Sequence, residues 1–189
     1  MSCPPADRLA RPRVVTASLA VPLLERDAAV SSLVACATGR GFAVAFDLLG
    51  DRGEAEDAVQ EALVRALGGL HRVREPAALP GWYLRVLTNL CIGVLRRRRV
   101  ATAFVRLVAA RGEPSVAAAD LGPDHARMLA AIDGLPAMQK AALILRHGHD
   151  LGVDEIAAVL DVGVETVKTH LKRARARVRT DLGVTDDHR

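Results

Sequence analysis

The sequence is poor in aromatic residues and cysteines, and it shows no convincing alternation of apolar and polar residues of the kind that marks β-strands. Of its 189 residues, three are Phe, one is Trp and one is Tyr, while half are hydrophobic, mainly Ala, Val and Leu. The three cysteines, Cys3, Cys36 and Cys91, are odd in number and lack the spacing of a metal site. These absences argue against a β fold, a disulfide framework and a zinc site. They predict an all-α protein of the reducing cytoplasm, with no metal and no cofactor.

Long apolar runs are also scarce in the sequence. The apolar segment 14–24 follows three arginines, as in a signal peptide, but Pro22 interrupts it and charged residues follow before a candidate cleavage site. We expect no apolar run to reach the roughly 20 residues that a membrane-spanning helix needs. We therefore expect no signal peptide and no membrane insertion, and we expect residues 1–24 to form a disordered tail.

Composition divides the rest of the chain into two helical blocks. Residues 25–100 and 124–182 have the apolar periodicity of helices, whereas residues 101–123 are rich in Ala, Gly and Pro and are typical of a linker. The formal net charge of +4 favours anionic partners. The sequence therefore predicts two small helical domains joined by a flexible linker, with a short tail at residues 183–189.

The end of the second block has the pattern of a DNA-binding motif. A short amphipathic helix at 154–160, a tight turn at 161–163 and a longer basic helix follow one another, as in a helix-turn-helix motif. Six basic residues and one acid, Glu165, lie within residues 162–179. Apolar residues form one stripe of this helix, so its polar side is predicted to enter the major groove of DNA. A basic face that serves only solubility is the alternative.

A helix in the first block has an acidic outward side. It begins at Asp51, with Glu54 three residues later as in a capping box. The outward residues, called the acidic face below, are Asp57, Gln60, Glu61 and Val64. An acidic surface in a basic protein is unsuited to DNA and favours a basic protein partner, although a plain solvated face has the same pattern.

The next helix has the opposite charge. Residues 82–99 contain five arginines and no acid. The residues predicted to meet a nucleic-acid strand, called the arginine face below, are Trp82, Arg85, Asn89, Arg96 and Arg97. An aromatic ring, cations and an amide suit stacking, phosphate neutralisation and base-edge bonding. Alternatively, Trp82 covers the core and the arginines form a solvated helix end.

Three segments in this order resemble the extracytoplasmic-function sigma factors of bacterial RNA polymerase. They are "LLGDRGEAEDAVQEALVRAL", "EPAALPGWYLRVLTNLCIGVLRRRR" and "LPAMQKAALILRHGHDLGVDEIAAVLDVGVETVKTHLKRARARVR". The resemblance covers roughly residues 40–182. It implies a sigma region 2 bundle in residues 25–100 and a region 4 helix-turn-helix domain in residues 124–182, and it implies a promoter-specificity subunit that initiates transcription and is not an enzyme.

The resemblance also implies the partners of each surface. The acidic face would dock on the clamp helices of the largest polymerase subunit, and the β flap would hold the second domain. The arginine face, with the loop Glu75–Pro80, would melt the −10 element and capture its non-template strand. The residues at the positions that read the −35 element, called the reading face below, are Lys168, Thr169, Lys172 and Arg173. An anti-sigma factor is a further expected partner. His170 departs from the family, which often has Arg there.

Two other classes of protein share some of these features. A stand-alone operator-binding regulator could use a similar last helix, but it would leave the acidic face and the arginine face without a purpose. An enzyme would need a convergent set of catalytic groups, which the sequence does not offer. His147 and His149 are two residues apart in a Gly-containing break, and we expect them to be an exposed loop pair.

Overall fold

The computed structural model describes residues 23–73, 75–108 and 122–183, and these contain eight α-helices and no strand. The helices are α1 Leu23–Cys36, α2 Phe42–Leu49, α3 Arg52–Gly69, α4 Leu79–Val108, α5 Pro123–Asp133, α6 Ala137–His147, α7 Val153–Leu160 and α8 Val164–Leu182. A π-helical turn, Ala37–Gly41, joins α1 to α2, and 3-10 turns occupy Leu70–Arg72 and Pro76–Ala78. The all-α prediction is confirmed. Most of the expected terminal tails and part of the expected linker lie outside the described residues.

The long helix α4 begins and ends elsewhere than the sequence predicted. The segment up to Pro80 was expected to be an irregular loop, but Pro76–Ala78 forms a 3-10 turn and α4 starts at Leu79. Pro80 is tolerated there because the N–H groups of the first turn have no partner within the helix. At its other end α4 continues eight residues past residue 100, to Val108, since no Gly or Pro interrupts it before Gly112.

Helix α1, the π-helical turn and α2 run on from one another as a single apolar helix. Its stretch Asp27–Leu49, 23 residues with a mean hydropathy of 1.4, is long and apolar enough to cross a membrane by length and composition. The expectation that no run has that length is therefore wrong, because Asp27, Arg40 and Asp47 are the only charged residues in this stretch and are too few to lower its mean hydropathy. In the structure Leu33, Val44 and other apolar residues of this helix are buried in the protein core.

The π-helical turn lets α4 approach this helix closely. A Cβ atom at Gly41 would lie 2.8 Å from Cε1 of Tyr83 and 3.0 Å from the carbonyl oxygen of Cys36. Tyr83 is fully buried, and its hydroxyl donates to the carbonyl oxygen of Val59 at 3.4 Å. A residue larger than glycine at position 41 would push these elements apart.

Helix α3 begins as predicted, but only half of the capping box forms. The Asp51 carboxylate accepts a hydrogen bond from the Glu54 backbone N–H at 2.8 Å. The Glu54 carboxylate instead pairs with Arg98 of α4, whose guanidinium also donates to the Leu49 carbonyl oxygen at 2.7 Å. One arginine of the basic run therefore ties α4 to the corner between α2 and α3.

Helix α4 is buried on more sides than a single stripe. Leu84, Leu87 and Cys91 form a buried stripe at helical spacing, and Thr88 and Ile92 beside it are buried as well. The reason is that α4 contacts α1, α2 and α3 and also α6 and α7 of the C-terminal block, residues 122–183. The N-terminal block, residues 23–108, and the C-terminal block consequently share one hydrophobic core cluster.

Polar contacts also join the two blocks. Arg85 of α4 forms an ion pair with Asp161, with 2.5 Å between Nη2 and Oδ2. Arg40 donates to the carbonyl oxygen of His149 at 3.0 Å, and Nε2 of His149 lies 3.0 Å from Oδ2 of Asp47. The His149 side chain is only 9% exposed, so the expectation of an exposed histidine pair is wrong for this residue. It was missed because its partners belong to the other block.

The helix-turn-helix motif forms at the predicted residues. Asp161 in the turn has φ +56°, the left-handed conformation that Asp tolerates better than most residues. Helix α7 lacks a side-chain N-cap at Gly152, but Glu155 compensates by accepting the Gly152 N–H at 2.7 Å. On α8, Val167, Leu171 and other apolar residues are buried, which turns the basic side outward.

Candidate nucleic-acid interface and protein-docking face

The acidic face is exposed along the outer side of α3. Four alanines, Ala55, Ala58, Ala62 and Ala66, bury the inner side, because their small side chains let α3 pack closely on its neighbours. All four residues of the acidic face are exposed. The Glu61 carboxylate accepts from Nε of Arg65 at 2.7 Å, and both side chains remain about half exposed. This pair leaves the acidic face accessible to another molecule.

Apolar residues lie beside these acids. Val64 is 66% exposed and Leu67, one turn further along α3, is 39% exposed. Leu67 was not among the predicted docking residues, although it lies three residues after Val64 and therefore on the same side of the helix. Exposed apolar residues beside charged ones are a composition typical of protein interfaces.

The arginine face is not one continuous free surface. Trp82 is half-buried, and its indole lies so close to Gly69 that a Cβ atom there would be 2.9 Å from the ring. Arg85 is held by Asp161, as described above. The structure thus places Trp82 against the end of α3, as the alternative interpretation of this residue expected. The three remaining members, Asn89, Arg96 and Arg97, are exposed.

The reading face is exposed on the first half of α8. Its two lysines and Thr169 and Arg173 all lie outward. Lys168 forms an ion pair with Glu165, with 2.6 Å between Nζ and Oε1, and this hydrogen bond raises the pKa of the lysine. The Thr169 hydroxyl donates to the Glu165 carbonyl oxygen at 2.9 Å. Glu165 therefore accepts hydrogen bonds from the side chains of two of the four predicted reading residues.

His170 lies beside this face and is partly buried. Desolvation and the neighbouring positive charge of Arg173 lower the pKa of its imidazole below 6.5. The side chain is consequently neutral at pH 7. It adds no charge at this position, where the family that the sequence resembles often has arginine.

A basic hollow of about 500 Å³ lies along the flank of α8. Five cationic side chains line it, those of Arg146, Lys168, Lys172, Arg175 and Arg179. Arg146 was not among the predicted DNA-binding residues, because it comes from α6 and only the tertiary fold brings it to α8. Its guanidinium is held in place by donating to the Leu151 carbonyl oxygen at 2.8 Å. The hollow is suited to the phosphate groups of a nucleic-acid backbone.

Metal-binding and reactive groups are scarce in the parts of the chain that the structure describes. In those ranges, no cluster of three or more His, Cys, Asp or Glu residues could hold a metal ion. Burial raises the pKa of the Cys91 thiol to about 12 and also raises that of Cys36. Both thiols are therefore protonated at neutral pH, as expected of packing residues.

Comparisons with known proteins identify the family to which the chain is similar. The family model for sigma-70 region 2 matches residues 38–101, and the model for sigma-70 region 4 matches residues 125–178. The sigma factor SigV of Bacillus subtilis is 29% identical over 161 residues, which cover 82% of this chain and 93% of SigV. The ECF sigma factor EcfG of Rhodopseudomonas palustris is 31% identical over 152 residues, covering 80% and 83% of the two chains.

A solved structure has a similar arrangement. The sigma factor RpoE of Bartonella quintana, in complex with the anti-sigma factor NepR, superposes with a TM-score of 0.56 at 25% identity. The superposition covers 88% of this chain and 98% of the other. Both matched regions, in this order and over most of the length, show that the chain belongs to the ECF family of RNA polymerase sigma factors.

Proposed function

We propose that this ECF sigma factor binds core polymerase, the −10 strand and the −35 duplex through three separate surfaces, on α3, α4 and α8. The supporting observation is that the predicted surfaces lie on different helices: the acidic face lies on the outer side of α3, the arginine face on α4 and the reading face on α8. A protein that must hold a polymerase and a promoter at the same time needs such distinct surfaces. The N-terminal block then acts as region 2, and the C-terminal block acts as region 4.

The acidic face docks on core polymerase, at the clamp helices of its largest subunit. Exposed Val64 supplies apolar area that binding would bury, and Asp57 and Glu61 supply charges for a basic partner. The β flap holds region 4. The solved RpoE relative is bound to an anti-sigma factor, and we expect this chain to bind a factor of the same class in the cytoplasm.

The arginine face binds the melted −10 strand, and the reading face reads the −35 duplex. Asn89, Arg96 and Arg97 are available to a strand without any rearrangement. Arg85 becomes available only when its ion pair with Asp161 breaks. Arg146 and Arg175 of the basic hollow would hold duplex phosphates, while the outward residues of the first turns of α8, Lys168 and Lys172 included, face base edges.

Promoter binding requires the two regions to separate. Positions −10 and −35 lie about 85 Å apart along duplex DNA, at about 3.4 Å per base pair. Arg85 of α4 and Asp161, three residues before α8, are in direct contact. The two helices therefore cannot each reach their own element in this arrangement. The connecting residues 109–121 span at most about 45 Å when extended, and α4 and α5 add to that reach.

The test compares promoter binding by the free chain with binding by its complex with core polymerase. Duplex affinity and run-off transcription on a genomic fragment library are measured at physiological salt. We expect weak duplex binding by the free chain, and specific binding and initiation only with core polymerase. Equal specific affinity in both samples would contradict the proposal and favour a stand-alone DNA-binding regulator.

A further inference from the structure

Glu165 occupies the centre of the reading face. At about 100° per residue, Lys168 and Lys172 lie about 60° and 20° to one side of it, and Thr169 and Arg173 lie about 40° and 80° to the other. The Glu165 side chain is 83% exposed. It is the one acid of α8 before Asp181. A carboxylate thus stands in the middle of a surface that is otherwise suited to a polyanion.

The chemistry of DNA leaves few favourable partners for this carboxylate. Phosphates repel it. Guanine N7 and O6 and thymine O4 in the major groove are themselves acceptors, so they cannot donate a hydrogen bond to it. The amino groups of cytosine and adenine do offer hydrogens, and Glu characteristically accepts from cytosine N4. Glu165 is the second residue of α8, and the N-terminal residues of a recognition helix are those that contact base edges.

Lys168 fixes the direction of the carboxylate and adds donors beside it. Its Nζ atom lies 2.6 Å from Oε1 of Glu165. An ammonium group has three hydrogens, so two remain for other acceptors. A C·G base pair presents the amino hydrogen of cytosine next to guanine O6 and N7 in the major groove. An acceptor and a donor held side by side match that pattern.

We propose that Glu165 is a specificity-determining residue, which selects cytosine at one position of the −35 element while Lys168 donates to the guanine of the same base pair. The inference rests on the proposed function, in which α8 reads that element. A purely structural role would have a different signature. An acid in the first turn stabilises a helix through its dipole and through an i,i+3 pair, and neither effect depends on DNA sequence.

The experiment measures transcription by core polymerase with this chain from a promoter library randomised at the −35 element. The variant is Glu165→Gln, which keeps the shape and removes the charge. Gln pairs with adenine N6 and N7, so we expect the preferred base at one position to change from cytosine to adenine, with about a tenfold loss of the cytosine preference. Thermal melting of the variant checks that the fold is intact.

Asp154→Asn is the matched control. Asp154 is an exposed acid in the first turn of α7, and its charge also acts on Lys168, but it does not lie on α8. We expect this variant to keep the base preference of the original chain. An equal change in both variants would overturn the inference, since it would reduce Glu165 to a general electrostatic effect.

Arg173→Ala separates the two levels of the proposal. If Arg173→Ala changes base preference and Glu165→Gln does not, the role of Glu165 is wrong while −35 reading by α8 stands. If neither variant changes base preference, the assignment of α8 as the reading helix is wrong as well. A cytosine preference that is lost at one position in Glu165→Gln alone supports the inference.

Discussion

Reversal of one charge on the acidic face tests polymerase docking with little disturbance of the fold. Glu61→Lys replaces the i,i+4 pair with Arg65, whose side chains are 52% and 57% exposed, by two like charges. Such a pair contributes about 0.2–0.5 kcal/mol, and a like-charge pair costs a similar amount. The free energy of unfolding should fall by about 0.4–1 kcal/mol, and Tm by about 1–4 °C for a chain of this size.

The expected effect on binding is larger. Close charge pairs across an interface contribute at least about 1.5 kcal/mol in favourable cases, and a reversed charge adds repulsion. We expect a loss of about 2 kcal/mol, which corresponds to roughly 30-fold weaker binding to core polymerase. Binding is measured by titration of labelled chain with core polymerase, and stability is measured by thermal melting followed by circular dichroism.

Helix α3 provides a matched control in Glu56→Lys. Glu56 accepts from Nε of Arg52 at 2.8 Å, also at i,i+4, and its side chain is 48% exposed. The change therefore disturbs the fold about as much as Glu61→Lys does. Glu56 lies about 140° around the helix from Glu61, and we expect less than a threefold change in binding. The docking assignment is refuted if Glu61→Lys binds within threefold of the original chain, or if the control loses as much affinity.

Three further predictions concern packing, pH and DNA reading. Gly41→Ala would press a methyl group against the buried ring of Tyr83 and should lower the free energy of unfolding by about 1–3 kcal/mol, measured by thermal melting. Gly39→Ala is the control, because its new Cβ would meet no neighbouring side chain within 4 Å, and it should not destabilise the chain. Because the pKa of His170 is lowered in the folded chain, the unfolded chain binds the proton more readily. The contribution of the neutral imidazole to the free energy of unfolding is therefore fully present above about pH 6.5 and is lost as the pH falls below that value. His170→Asn should reduce this loss of stability in thermal melts from pH 7.5 to 5. Arg173→Ala should cost about 1–3 kcal/mol and relax preference at one −35 base, while Arg177→Ala should leave the base preference in the promoter library unchanged.

Features that depend on neighbouring residues could be predicted from the sequence. Asp51 caps α3, Asp161 takes the left-handed turn, and α7 and α8 form a helix-turn-helix motif. Each depends on groups within a few residues of one another, so the spacing of polar and apolar residues is enough to specify it. The outward position of the acidic face and of the reading face follows from the same periodicity.

The contact between the two blocks was decided only by the tertiary structure. The sequence predicted two domains on a tether, and it assigned Arg85 to DNA and His149 to an exposed loop. In the fold Arg85 pairs with Asp161, and His149 is enclosed beside Asp47. These partners are far apart in the chain and carry no local signal, because an exposed charge and one that will meet a distant partner have the same pattern in sequence.

The same reason applies to the basic hollow and to the environment of Glu165. Arg146 comes from α6, and its arginine neighbours come from α8, so no single helical wheel contains the whole set. The helical periodicity of α8 was enough to predict that Glu165 lies on its outward side. Its ion pair with Lys168 required the side-chain geometry. The sequence alone therefore determined the all-α class, the helix-turn-helix motif and the family. The fold decided which of the charged side chains are paired across the two blocks, as Arg85 is with Asp161.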